Sequence, residues 1–218
     1  MSSKFIIIGV LLFVLLVVGT TSAMIAQDND FTTWTKFKVN HKIDSRFAVS
    51  GNLELRTEDD MSAIDRWGIS VGGDYRAFSF LKFEIGYETH YRNLGEIGWK
   101  FRHRYRIGAT ASFRYQWLKM SLRERFQQTF DRGESETRLR SRLKLGYAPQ
   151  KGIVSPYFSI EIYQSLDDAP FWRTARLRYR PGIEIDLTKR WSLDAFYCYQ
   201  YESSRGKHIA GVEVGYSF

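Results

Sequence analysis

The positive charge of this chain is concentrated on alternate residues of three consecutive stretches. Lys100, Arg102, Arg104 and Arg106 are spaced by two. Arg123 and Arg125 follow the same rule with Lys119 on their parity, and Arg138, Arg140, Arg142 and Lys144 repeat it. Guanidinium groups in such a row can clamp carboxylates or phosphates through paired N–H donors, or line a path that prefers anions. Carboxylates able to answer them recur at the same spacing: Glu54, Glu84, Glu88, Asp194 and Glu213. A spacing of two is the period of a β-strand, whose successive side chains point to opposite faces. All these charges therefore lie on one face of a sheet.

The strands that must carry them are legible as alternating segments separated by turn residues. They are 47–58, 66–77, 82–92, 98–111, 117–130, 137–147, 156–164, 172–187, 191–202 and 208–218. On 98–111, Trp99, Phe101, Tyr105 and Ile107 oppose the four cations; on 137–147, Leu139, Leu143 and Leu145 do. The same pattern sets Leu53 against Glu54 and Ile85 against Glu84. A sheet with one apolar and one charged face closes most naturally into a barrel. If the apolar face meets lipid, turning a strand over puts Arg at lipid depth, at about 2–4 kcal/mol each near the midplane. The expected fold is all-β: a single transmembrane up-and-down antiparallel barrel of 10–12 strands. The count stays open because 32–43 reads as an eleventh strand, while single-chain bacterial barrels have even counts. That segment would also run downward from a periplasmic N-terminus. Either it enters the lumen first, or a twelfth strand is present.

Both ends of the chain agree with a membrane destination. Lys4 precedes an apolar run from Phe5 to Val18, shorter than the ~20 residues that span a bilayer, and small residues follow. Residues 1–26 read as a cleavable signal peptide, cut after Ala23 or Ala26, leaving 27–218 as one domain. At the other end, Val214, Tyr216 and Phe218 share the apolar parity of 208–218. A closing strand with a terminal aromatic resembles the assembly signal of bacterial outer-membrane barrels. Tyr216 and Phe218 are therefore the residues expected to engage the barrel-assembly machinery. Such barrels end on the periplasmic side, which makes 44–46, 78–81, 112–116, 147–155 and 188–190 periplasmic turns and 58–65, 93–97, 131–136, 165–171 and 203–207 outer loops. Trp67, Tyr91, Trp99, Trp172 and Tyr201 then mark the outer girdle, and Phe78, Phe80, Trp117 and Trp191 the inner one.

Several function classes fall away. The chain has 32 basic and 24 acidic residues, a net charge of +8, but alternate strand positions enclose the cations rather than present them to nucleic acid. Cys198 is the single cysteine and reads as a small packed side chain, so no disulfide framework exists. The histidines are His41, His90, His103 and His208, and none has a serine two residues away, the spacing that would resemble an outer-membrane phospholipase. Asp59, Asp60, Asp65, Asp167 and Asp168 read as solvated loop acids. No catalytic residue, cofactor or metal ion is expected, and a lipid-modifying enzyme is the remote alternative. A soluble lipid-binding barrel would need its apolar face inside.

The early Trp34, the stretch 52–60 followed by Asp65, Arg66 and Trp67, and the segment 75–87 with its short turn resemble one family. It is a set of small outer-membrane barrels known as domain of unknown function 2490. The resemblance implies a barrel and brings no site residues with it. By parity the presumed lumen also takes Glu161, Glu184, Glu202, Arg176, Arg178 and Arg180, and its cations outnumber its carboxylates. The main expectation is a structural barrel in outer-membrane lipid with a salt-bridged interior. Arg102, Arg104, Arg140 and Arg142 are then tied across the lumen to acids such as Glu54 and Glu213. The alternative is a narrow anion-preferring pore. Inward glycines such as Gly68, Gly72, Gly86 and Gly108 make room for long side chains or for solute.

Overall fold

The computed structural model describes residues 30–218 except 132, 148, 150, 151, 168–171, 203 and 204. The signal-peptide reading of residues 1–26, with its cleavage site, lies outside the described residues.

The chain folds into a closed barrel of eleven strands. They are β1 (Asp30–Lys42), β2 (Phe47–Glu58), β3 (Ala63–Arg76), β4 (Leu81–Asn93), β5 (Trp99–Tyr115), β6 (Leu118–Asp131), β7 (Glu134–Tyr147), β8 (Val154–Ser165), β9 (Arg173–Asp186), β10 (Trp191–Glu202) and β11 (Arg205–Ser217). Each strand pairs antiparallel with its sequence neighbours, as hairpin connections require. An odd count then leaves the first and last strands running the same way, and β1 closes on β11 in a parallel ladder from Asp30↔Lys207 to Asn40↔Ser217. The segment at 32–43 is thus a full member of the wall. Among the described residues no twelfth strand lies between the other ten.

Two short turns at the rim that holds Phe218 are pinned by hydrogen bonds to their own side chains. Asp44 Oδ1 accepts the amides of Phe47 at 2.7 Å and Arg46 at 2.6 Å, which holds its carboxyl below the ordinary range. Thr188 Oγ1 does the same for Arg190 and Trp191. At the opposite rim, Asp59, Asp60 and Met61 take left-handed φ angles of 51°, 53° and 70°. Asp60 Oδ1 accepts the Phe31 amide and Asp30 Oδ1 accepts the Asp60 amide, clasping the start of β1 to this turn.

The apolar face is the outer one. Ile69, Ile85, Ile107 and Leu122 are 50–63% exposed. Rings collect at both edges of this belt: Trp67 stacks on Tyr91 at one, Phe78 on Phe80 and Trp191 against Tyr216 at the other. The buried positions are mostly polar, among them Thr32, Ser70, His90, Gln127, Glu161 and Arg178. Among the described residues one apolar cluster lies inside, where Phe196, Cys198 and Ile209 pack with Trp34 beneath the β10–β11–β1 seam. The soluble-barrel alternative fails here, because its apolar surface would have to line the cavity.

Candidate functional site

Strand alternation brings the basic and acidic residues named above into one lumen. Arg102 meets Asp131 of β6 at 2.7 Å. Arg104 donates to Glu88 of β4 at 3.2 Å and through Nε to Thr129 at 2.8 Å. Arg106 lies 3.8 Å from Glu88. Arg125 reaches past β5 to Glu84 at 2.5 Å, and Arg123 reaches past β7 to Glu161 of β8 at 3.4 Å. Arg140 pairs with Glu161 at 2.6 Å, Arg142 stands 3.8 Å from it, and Arg138 pairs with Glu136. Lys144 bonds Glu184 at 2.5 Å and sits 3.7 Å above the Tyr157 ring. Lys100 stands in register opposite Arg92, at the rim.

The expected partners across the lumen are not the ones found. Glu54 serves Arg56 at 2.8 Å, Arg66 at 3.2 Å and Lys36 at 3.5 Å. Glu213 serves Arg180 at 3.2 Å and Lys36 at 3.8 Å. Asp194 takes Arg180 at 2.6 Å and the Tyr157 hydroxyl at 2.8 Å. Neither Glu54 nor Glu213 reaches Arg102, Arg104, Arg140 or Arg142. The reason is geometric: neighbouring strands lie about 4.8 Å apart, so a long side chain reaches one or two strands along the wall. Acids on the same arc of wall win.

The hub that parity alone did not single out is Glu161. Four guanidinium groups surround it: Arg140, Arg123, Arg142 and Arg178, the last at 3.7 Å. Tyr163 adds its hydroxyl at 3.3 Å. Tyr157, Glu161 and Tyr163 share one parity on β8, a signal present in the sequence but masked by that strand's apolar outward run. Trp34 of β1 also points inward, with Arg56 at 3.8 Å and Arg178 at 4.6 Å over its ring.

Inward glycines hold space for these side chains. A Cβ on Gly86 would lie 3.0 Å from Arg106 Cζ, and one on Gly108 would lie 3.0 Å from Glu84 Oε1. Three contiguous cavities remain along the lumen. One of about 590 Å³ lies toward the rim opposite Phe218, one of about 400 Å³ is central, and one of about 510 Å³ lies toward the Phe218 rim. Arg140 and Arg178 border the first two, Arg142 and Lys144 the last two.

The other residues singled out by their chemistry divide between the lumen and the outer face. His90 faces inward, its Nδ1 3.4 Å from Glu88, while His103 lies among outward rings and His208 against Tyr197. Asp65 pairs with Arg92 at 3.2 Å. Glu124 faces outward in the middle of β6, where Ser141 Oγ donates to it at 2.6 Å. Tyr216 and Phe218 pack edge to face at 4.9 Å, and the Phe218 amide donates to the Asn40 carbonyl of β1 at 3.0 Å.

The family model described as "Protein of unknown function (DUF2490)" matches residues 31–209. No curated protein matches the chain in sequence. Among solved structures, the translocator domain of autotransporter NalP from Neisseria meningitidis is similar, at 16% identity and a TM-score of 0.45, over 78% of this chain and 73% of that one.

Proposed function

We propose that this chain, which belongs to the family described as Protein of unknown function (DUF2490), is an outer-membrane barrel closed at rest by its own ion pairs, a scaffold rather than an open porin. One observation carries the reading. The lumen's charge network takes a member from each of the eleven strands, from Lys36 on β1 through Glu54, Arg66, Glu88, Arg104, Arg125, Arg140, Glu161, Arg180 and Asp194 to Glu213 on β11. A barrel of eleven strands lies nearer the side-chain-filled eight-stranded class than the sixteen-stranded porins. The exposed apolar belt and its aromatic edges support lipid as the outer solvent. In this reading the assembly machinery docks β11 through Tyr216, paired in register with Val39 of β1, and Phe218, whose amide bonds the Asn40 carbonyl. The reading assigns no catalytic step.

A second reading rests on the chain of cavities and the surplus of cations: a narrow path that prefers anions. Planar-bilayer recordings on refolded protein separate the two. The closed scaffold predicts no steady conductance in the wild type and leak on replacing Glu161 by Gln. Steady anion-selective steps in the wild type would replace it with the pore.

A further inference from the structure

The basic wall is only partly answered by carboxylates. In the β6–β7 register Arg123 stands directly opposite Arg142, and Arg125 opposite Arg140. Like charges placed so destabilise a sheet. Arg125 has Glu84 at 2.5 Å and Arg140 has Glu161 at 2.6 Å. Arg123 and Arg142 share what is left of Glu161, at 3.4 and 3.8 Å, the second too long for a hydrogen bond. The Nε–H groups of Arg123 and Arg142 are buried with no hydrogen-bond partner. A charged donor left so costs free energy that a suitable acceptor would recover.

Three further facts place the deficit around one space. Arg123, Arg142 and Arg106 all border the central cavity of about 400 Å³. Arg106 lies against the inward face of Gly86 and Gly72, and its own acid, Glu88, is 3.8 Å away. Lys38 of β1 also lines this cavity and makes no ion pair among the described residues. Two of the acids that line the same cavity are already committed, Glu84 to Arg125 and Glu184 to Lys144.

We propose that the central cavity is a binding site for a compact multivalent oxyanion, a phosphate or diphosphate group, held by Arg106, Arg123 and Arg142 with Lys38. Guanidinium forks match pairs of phosphate oxygens, and two or more negative charges answer the like-charge pair across β6 and β7. A carboxylate fixed to a strand cannot move into the middle of the cavity. A free anion can. The site goes beyond the closed-scaffold reading, since a conducting barrel can hold it and a closed one can lack it. Binding and conductance are therefore read separately.

The test is calorimetric titration of the refolded full chain, in zwitterionic lipid vesicles, with inorganic pyrophosphate at ionic strength held constant with chloride. Saturable binding is expected, with a rise in the temperature at which the folded gel band is lost. Arg142→Gln should weaken binding roughly ten- to a hundredfold, the worth of one charge-assisted contact. Because Arg142 also approaches Glu161, Lys38→Gln is the companion variant: it breaks no ion pair, so its unliganded stability should match the wild type while its affinity falls. Displacement of pyrophosphate by glycerol phosphate would assign the site to organic phosphates, and displacement by inorganic phosphate alone would assign it to the free ion. No saturable heat beyond a chloride control would overturn the proposal. So would an affinity indifferent to both substitutions.

Discussion

On opposite arcs of the lumen, the β5–β7 wall and the β10–β11–β1 seam are filled with different materials. The wall carries runs of Arg and Lys on alternate positions, and two pairs of them, Arg123 with Arg142 and Arg125 with Arg140, face one another as like charges. Asp131 and Glu136 of its own strands answer Arg102 and Arg138 toward one rim, and the rest of its counter-charge comes from outside, Glu84 and Glu88 from β4 and Glu161 from β8. The seam packs the Phe196 ring over Gly211, with Cys198 and Ile209 beside it and Trp34 alongside. Parallel pairing is slightly weaker per residue than antiparallel, and the seam is where that weaker ladder occurs. Dry packing there compensates the ladder, and it does so with residues of the paired strands themselves. The wall depends on acids one or two strands away; the seam depends on shape.

The strongest way to break this contrast is at the wall's hub. Glu161→Gln leaves the Arg140, Arg123, Arg142 and Arg178 charges without their shared anion, and should cost about 3–5 kcal/mol in a urea midpoint measured in vesicles. An additional Arg140→Leu should recover part of the loss, because one stranded charge goes with it. If Glu161→Gln is neutral, the wall is not held by ion pairs. At the seam the comparable change is Ile209→Ala, which empties a fully buried site. It should cost about 2–5 kcal/mol and, unlike the Glu161 effect, should be insensitive to salt. A salt-dependent loss at Ile209 would erase the distinction between the two arcs.

The smallest effect belongs to a turn that serves neither arc. Asp44→Ala removes the acceptor for the Phe47 and Arg46 amides. Because the folded carboxyl titrates below its ordinary value, its contribution is present above that range and lost as pH falls through the folded value. The wild type should therefore exceed the variant in urea midpoint at neutral pH, and the two should converge below about pH 4. A gap that persists in acid would mean the turn is held by something other than the ionised carboxylate.

Much of this was legible in the residues. The segments 47–58 and 191–202 coincide with β2 and β10, and the other boundaries shift by a few residues at turns. The inward and outward sets follow parity through the body of the strands and break at the β2–β3 irregularity beside Arg56 and Thr57, where Asp65 and Arg66 both border the lumen; Glu124 is an outward acid on an otherwise apolar face. The site was legible as a list of charges and not as a set of pairs. Arg140 and Glu54 share a lumen and never meet; Arg140 and Glu161 do.

The sequence by itself determined which side chains enter the lumen, because alternation is a property of a single strand and a slip of one residue would turn every charge outward. It also determined where the hairpins fold back, since Asp44 and Thr188 carry their own turn hydrogen bonds. The tertiary structure alone decided that the ring closes at eleven with β1 parallel to β11, and that Glu161 rather than Glu54 or Glu213 faces the Arg wall. Those outcomes depend on the register between strands far apart in the chain. That register sets the depth and the arc at which each charge arrives, and a long side chain reaches only the one or two strands beside it.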